Sequence, residues 1–584
     1  MSFLGEIRRR KIFQVAAVYA VVAWLLVQIV ATVEAPLNLP DWADTLVILL
    51  LAIGFPITLI ISWAFNLTPE GLVKDTGSAL QRGRTIEYVL IGLVMVAVGW
   101  LVYRVELEPG SATRVAPDVL PNSVAVLPFE NLSPDADDAY FAAGLHEEVL
   151  NQLAKLKNLN VIARTTMRQY ENTVKPIEQV AAELNVASVM EGSVRYADGR
   201  VRVTAQLIDG QRGVHLWSDT YERDFEDIFA IESDVAMSVA NAMAVEFSLA
   251  EQAEIEEVPT NSLEAYELFL SSRVNAARGT REGVMHALEG LDRAVELDPD
   301  FALGWTAKAS AHTYATNYFP EQFDEQIALA QSAARRALEI EPASVRAHIP
   351  LAMIAAARGQ WQQAGREFRT VSALGASEPF AAFQFTVGHI EQAYDDILSI
   401  RERDPLNSDA AWWVLAGLDS LGEADASLME YERGKEQFGE WSFGHFHAFV
   451  TLLGSNNAER AMELARDELS NVVIATALEH LSVPDAAIAA LRRLLADDAT
   501  ADRQYIALLA AHFGDQQLAS EALRDRINRF PIGAHLIWRP VFRQVRQRQD
   551  FKDFLREQGF VAYWQEFGWP DFCRPLVGAD FECS

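Results

Sequence analysis

The sequence predicts a multidomain chain: three transmembrane helices, then a small α/β domain, then an all-α solenoid of helical repeats. Three observations carry this. Three apolar runs without a charge crowd the first 104 residues; strand-like and helix-like patterns alternate over 122–250; and one helical signature recurs at a spacing of 43 residues beyond residue 262. A chain of 584 residues also exceeds what one hydrophobic core accommodates.

The membrane part spans 1–104. The run Ile12 to Val33 is long enough to cross a hydrocarbon layer of about 30 Å as a helix. Leu46 to Phe65 is a second run, kinked at Pro56, which neighbouring helices tolerate. Tyr88 to Tyr103 is a third, with Trp100 and Tyr103 suited to the interface. Arg8, Arg9, Arg10 and Lys11 precede the first run, and the loop after it carries Glu34, Asp41 and Asp44 with no Lys or Arg. The next loop carries Lys74, Arg82 and Arg84. Basic flanks stay in the cytoplasm, so the expectation is a cytoplasmic N-terminus, with everything after about residue 105 outside, in the periplasm of a two-membrane bacterium.

Charge is distributed as unevenly as hydropathy. Of the formal net charge of −32, residues 1–110 hold 8 basic and 9 acidic groups, leaving 41 basic and 72 acidic groups on the remainder. So acidic a body repels phosphate backbones and argues against nucleic-acid partners.

Residues 105–121 read as a linker rich in Pro, Gly, Ser and Ala. Ser123 to Phe129 is a near-continuous apolar run, as for a strand buried on both faces. Phe141, Leu145, Val149, Leu153 and Leu156 form a helical stripe. Leu159 to Arg164 reads as a strand, and "IEQVAAELN" as a short helix with Val180 and Leu184 inward. Asp198 and Gly199 between two β-type runs signal a tight hairpin. Val201, Val203, Ala205 and Leu207 then alternate with polar residues, giving one dry and one wet face. "GVHLWSDTYERDF" continues as a strand, and Ile228, Ile231, Val235 and Val239 mark a closing helix.

The blocks "SVAVLPFENLSPDADDAYFAAGLHEEVLNQLAKL", "VMEGSVRYADGRVRVTAQLID" and "HLWSDTYERDFEDIFAIESDVA" resemble the TolB-like amino-terminal domain, related to FlgO-type envelope domains, which occurs in bacterial membrane proteins, often ahead of tetratricopeptide repeats. The resemblance extends to the membrane runs and reaches about residue 250. It implies an envelope-facing module for protein contact and transfers no catalytic residue.

Beyond Ser262, "RAVELDPD" (Arg293 to Asp300) and "RALEIEPA" (Arg336 to Ala343) align without a gap. Ala287, Leu291, Ala294 and Pro299 map onto Ala330, Ala334, Ala337 and Pro342, and Ala393, Ile397, Ile400 and Pro405 repeat the internal spacing. This resembles the second helix of a tetratricopeptide repeat, where small residues let paired helices approach and proline stops the helix. Leu351, Ala352, Ala355, Ala364 and Phe368 fit the same pattern. The expectation is six to eight degenerate repeats over 262–560, with an extended concave face that binds peptides or helices.

No enzyme signature is strong, and no motif calls for a cofactor or metal. His146-Glu147-Glu148 lacks the second histidine of a zinc-protease helix and reads as a solvated helix face. His445 and His447 have no carboxylate or thiol nearby in sequence. "GTREG" (Gly279 to Gly283) lacks the Lys-Ser/Thr ending of a phosphate loop. Eleven residues precede the first apolar run, too few for a cyclase or a DNA-binding domain.

Cys573 and Cys583 are the only cysteines, both within the last twelve residues. In an oxidising compartment they would close a loop worth about 2.5–3 kcal/mol in the chain-entropy model. They would staple a cap over 561–584, with Trp564, Phe567, Trp569 and Phe572 on the last helices. Two thiols without nearby histidines leave zinc short of ligands. The functional expectation is a non-enzymatic, inner-membrane-anchored periplasmic scaffold for envelope proteins or peptides. The alternative is an envelope-sensing component acting on a separate cytoplasmic cyclase or regulator.

Overall fold

The computed structural model describes residues 119–584, apart from 136–137, 373–376, 440, 456, 469–470, 481–482, 498–500 and 578–579. From the N-terminal part it describes 19, 22–24, 26, 51, 54–55, 65–68 and 71–74. The chain divides into a unit Met1–Pro117 and a unit Asp118–Ser584.

The three apolar runs lie almost entirely outside the described residues. Among those described, no helix is long and apolar enough to cross a membrane. In the first unit Tyr19, from the first run, donates its hydroxyl to the Leu51 carbonyl of the second at 2.7 Å. Strands β1 (Phe65–Thr68) and β2 (Gly71–Lys74) form an antiparallel hairpin. Phe65, expected to end the second run, instead opens this hairpin.

The second unit begins with a sheet of β3 (Leu120–Val126), β4 (Glu130–Asn131), β5 (Asn160–Val161), β6 (Val186–Ala197), β7 (Arg200–Asp209) and β8 (His215–Asp224). Its order is β5-β3-β6-β7-β8, with β4 on β6. β3 runs parallel to β5 and β6; the remaining long pairs are antiparallel. β3 starts inside the expected linker, at Leu120, and ends at Val126, because Pro128 offers no N–H to continue the ladder. The strand expected over Leu159 to Arg164 shrinks to two residues, since Arg164 already opens a helical turn. The β6–β7 loop is Asp198-Gly199 with φ of 52° and 73°, the pair of left-handed residues a type I′ turn needs.

Two faces of the sheet take different helices. Val124, Val126, Met190, Val203 and Leu207 pack under α1 (Ala139–Ala154) and the later α4 (Ile228–Ala242). After the short α2 (Arg164–Met167), α3 (Ile177–Leu184) covers Ala125, Leu127, Val186 and Val189 on the other face. The crossovers leaving β3 and β5 thus pass on opposite faces, so the C-terminal end of β3 is a topological switch point.

After α5 (Leu249–Ile255), helices pair antiparallel as α6 (Leu263–Ala277) with α7 (Arg281–Leu297), α8 (Ala302–Ala315) with α9 (Phe323–Ile340), and α10 (Val345–Ala357) with α11 (Trp361–Val371). The pattern continues as α12 (Glu378–Val387) with α13 (Ile390–Arg403), α14 (Ser408–Leu421) with α15 (Ala424–Phe438), and α16 (Ser442–Gly454) with α17 (Ala458–Glu468). It closes with α18 (Val472–Glu479) on α19 (Pro484–Asp497) and α20 (Arg503–His512) on α21 (Gln516–Arg529). Among the described residues this makes eight pairs of a tetratricopeptide-like helical array. Ala287, Leu291, Ala294, Ala330, Ala334, Ala337, Leu351, Ala352, Ala355, Ala364 and Phe368 are all buried between helices. α7, α9 and α13 each stop two residues before Pro299, Pro342 and Pro405, as the steric restriction ahead of proline requires.

No core boundary separates sheet from repeats: one apolar cluster runs from Val124 through Phe269 to Phe301 and Ala311. α6 lies so close on α1 that a Cβ at Gly144 would sit 2.9 Å from that of Leu270.

The array ends at Arg529, not near residue 560. The following segment comprises 3-10 turns at Pro531–Trp538 and Pro540–Phe542, α22 (Arg543–Gln547), α23 (Gln549–Glu557), α24 (Phe560–Phe567), β9 (Cys573–Pro575) and β10 (Phe581–Cys583). It folds back onto earlier helices: α10, α12, α14, α16 and α20 from the first members of their pairs, and α11 and α21 from the second. Trp538 donates to the Thr386 carbonyl at 3.2 Å and Trp564 to that of Val387 at 2.8 Å. A Cβ at Gly388 would lie 2.6 Å from Trp538 and from Pro570. The later pairs, expected to present an open binding face, are therefore packed against by the chain's own aromatic-rich end. Cys573 and Cys583 are joined by a disulfide across β9 and β10.

Candidate functional site

A cleft of about 1000 Å³ opens at the switch point beyond β3. Its floor is apolar, from Leu127, Phe129, Ala142 and Val274. One wall is the sheet: Glu130 on β4, Glu191 and Ser193 on β6, and Thr204 and Gln206 on β7. Gln206 donates its amide to Glu191 at 2.9 Å. The other wall is helical. Arg164 and Arg168 lie one helical turn apart, Arg278 follows α6, and His146 projects from α1.

Behind the helical wall lies a buried ionic cluster. Arg273 of α6 donates to Glu147, and to Glu148 Oε1 at 2.5 Å. Arg164 stands 3.2 Å from the second oxygen of Glu147, and Asn151 donates to Glu148 at 2.8 Å. Tyr266 donates its hydroxyl to Glu232 at 2.7 Å. Burial, with Glu148 nearby, holds the Glu232 carboxyl well above its ordinary range. Burial lowers the His146 pKa, and its Nε2 meets the Val126 carbonyl at 2.8 Å, so the ring is neutral with Nδ1 as an acceptor. His146, Glu147 and Glu148, expected to face solvent, are therefore buried. The reason is α6, which lays Tyr266, Phe269, Leu270 and Arg273 over them at helical spacing.

His445 and His447 serve separate helix contacts. His445 Nδ1 is 2.7 Å from the Tyr431 hydroxyl; His447 is fully buried beside Arg539 and the Trp412 ring. Among the described residues no three His, Cys, Asp or Glu are arranged to hold a metal. Gly279 and Thr280 of "GTREG" turn the chain into α7, with the Thr280 hydroxyl accepting from the Gly283 N–H at 3.0 Å. Trp361, Trp413 and Trp441 are packing residues. The cleft itself escaped sequence reasoning. The signal was the run "RTTMRQY", whose two arginines four apart stand side by side on one helical face.

No protein-family model matches the chain. It is 35% identical over 252 residues to a protein named Putative adenylate cyclase 3 of Rhizobium meliloti (strain 1021). That match covers 42% of this chain and 42% of the relative, so the chain spans less than half the length of the curated relative it matches. Two solved structures are similar over parts of the chain. Lipoprotein GNA1162 from Neisseria meningitidis has 18% identity and a TM-score of 0.17, covering 22% of this chain and 100% of its own. YrrB, described as a TPR protein with an unusual peptide-binding site, has 16% identity and a TM-score of 0.26, covering 33% and 98%.

Proposed function

We propose that the protein is a non-enzymatic scaffold anchored in a bacterial inner membrane, its TolB-like module and helical repeats facing the periplasm and binding envelope proteins or peptides. The paired-helix array supports this reading most directly. Each pair buries its apolar stripe against its neighbours and leaves an extended side-chain surface, the physical basis on which such arrays hold other chains. The covered later part directs that role to the earlier pairs, where Tyr314 on α8 and Met353 on α10 remain exposed. The apolar runs with basic N-terminal flanks support the anchoring. Reporter fusions after residues 38, 76 and 120 test it: the first and last active only outside, the middle only inside. A cytoplasmic signal at 120 overturns the localisation.

The match to a protein named as a cyclase favours a second reading. The array would sense an envelope signal and pass it to a separate cytoplasmic cyclase or regulator. Cyclic-nucleotide levels and transcription unchanged on deletion would reject that reading.

A further inference from the structure

The cleft beyond β3 sorts its charges by wall. On the sheet wall, Glu130 sits opposite Ser193 across the β4–β6 pairing, and Glu191 lies two residues before Ser193. On the helical wall, Arg168 donates at 3.0 Å to the Ala277 carbonyl, which places its guanidinium beside Arg278. Arg164 is taken up by Glu147, and Lys175 by Glu183 at 2.8 Å. Glu171, three residues after Arg168, is the acid on this side. Among the described residues Arg168, Arg278 and Glu130 have no ion-pair partner. The His146 Nδ1 acceptor likewise has no protein partner among the described residues, although the side chain is only 5% exposed.

We propose that this cleft binds a small zwitterion: a free amino acid, or a short peptide with both termini charged. The ligand's carboxylate meets the planar forks of Arg168 and Arg278, which suit a carboxylate in two-point contact. Its ammonium lies toward Glu130 and Glu191. His146 Nδ1 accepts an N–H, and the floor of Leu127, Phe129, Ala142 and Val274 takes an apolar side chain. A simple anion would leave Glu130 without a cation, and a simple cation would leave Arg168 and Arg278 without an acid; a ligand carrying both charges answers both walls. The proposal goes beyond the scaffold reading and does not depend on it.

The test uses the full chain in detergent or nanodiscs at low salt. Calorimetric titrations take tri-alanine, N-acetyl-tri-alanine, tri-alanine amide, L-alanine and inorganic phosphate. Tri-alanine or L-alanine binds saturably, and blocking either end of tri-alanine weakens it by at least about tenfold, the worth of one charge-assisted contact. Arg168→Gln with Arg278→Gln makes free and amidated peptide bind alike; Glu130→Gln with Glu191→Gln does so for free and acetylated peptide. Unchanged thermal melting of both double variants keeps these losses separate from misfolding. Binding of L-alanine as tight as tri-alanine assigns the free amino acid, and weaker binding assigns the peptide. No saturable binding of tri-alanine or L-alanine, indifference to end-blocking, or phosphate binding as tight as tri-alanine overturns the proposal.

Discussion

Two arginines are carried from one part of the chain into another, Arg273 half-buried and Arg539 fully so, and their company differs. Arg273, from the first repeat helix, enters the α/β module and meets two carboxylates, Glu147 and Glu148. Arg539, from the C-terminal segment, is 1% exposed among the later repeats. It meets one carboxylate, Asp419 at 3.3 Å, together with the Ala416 carbonyl and His447. Burial lowers both guanidinium pKa values, but at Arg273 the two acids outweigh it and the net shift is up, whereas at Arg539 it prevails and the shift is down. Burial, then Arg539, holds the His447 ring neutral, and the same two causes drop the His535 pKa to about 3. The first junction adds to its continuous apolar core an ionic cluster in which Arg273 meets two buried carboxylates. The second is held by aromatic burial, into which a charge pair has been placed at a cost. Buried ion pairs recover their desolvation only with full compensation, so the first should be the more sensitive to losing its arginine.

The largest expected effect follows. Arg273→Met leaves the buried Glu147 with Arg164 alone and the buried Glu148 with Asn151 alone, and should destabilise the second unit by about 3 kcal/mol in chemical denaturation. Adding Glu147→Gln and Glu148→Gln should restore most of it; a full loss persisting in the triple variant would show that packing, not charge, holds this junction. Next, replacing Cys573 and Cys583 by serine should cost about 2–4 kcal/mol. Hydrogen exchange should rise over 531–584 while the sheet stays protected, and a uniform rise would erase the distinction between the junctions.

Smaller effects sharpen it. Arg539→Met together with Asp419→Asn removes the second pair whole and should leave stability within about 1 kcal/mol of the parent, or raise it. A loss as large as that of Arg273→Met would make the two junctions equivalent. Another effect of this order is a titration. Burial, then Asp409, raises the Glu378 carboxyl at the start of α12 to about 7. The folded state then holds a proton that the unfolded state releases near pH 4.5, so stability should fall as pH rises from about 4.5 through 7. Glu378→Gln should flatten that slope and gain on the order of 1–2 kcal/mol above pH 7; a parent slope that the variant preserves would assign it elsewhere.

Legibility in the sequence followed the range of the interactions. The stripe of α1, the Asp198-Gly199 turn and the Ala-rich second helices are local patterns and could be read directly. The burial of Glu147 and Glu148 depends on Arg273, more than a hundred residues later, and no local pattern distinguishes such acids from a wet helix face. Likewise "WQEFGWPDF" reads as an aromatic cap. That it packs on α12, with Trp564 donating to Val387 across 177 residues, follows only from the return of the chain. The cleft lies at the same limit: its arginines four apart are a local signal, but their convergence with Arg278 and the sheet acids is tertiary.

The scaffold reading is tested most directly by photo-crosslinking in intact cells. A photoreactive residue is placed at Tyr314 on α8 or Met353 on α10, whose side chains stay exposed, and at Met285 or Leu329, on the exposed backs of α7 and α9. Discrete adducts with periplasmic proteins are expected from Tyr314 and Met353 and none from Met285 and Leu329. Equal labelling from all four positions, or no adduct from any, would contradict it.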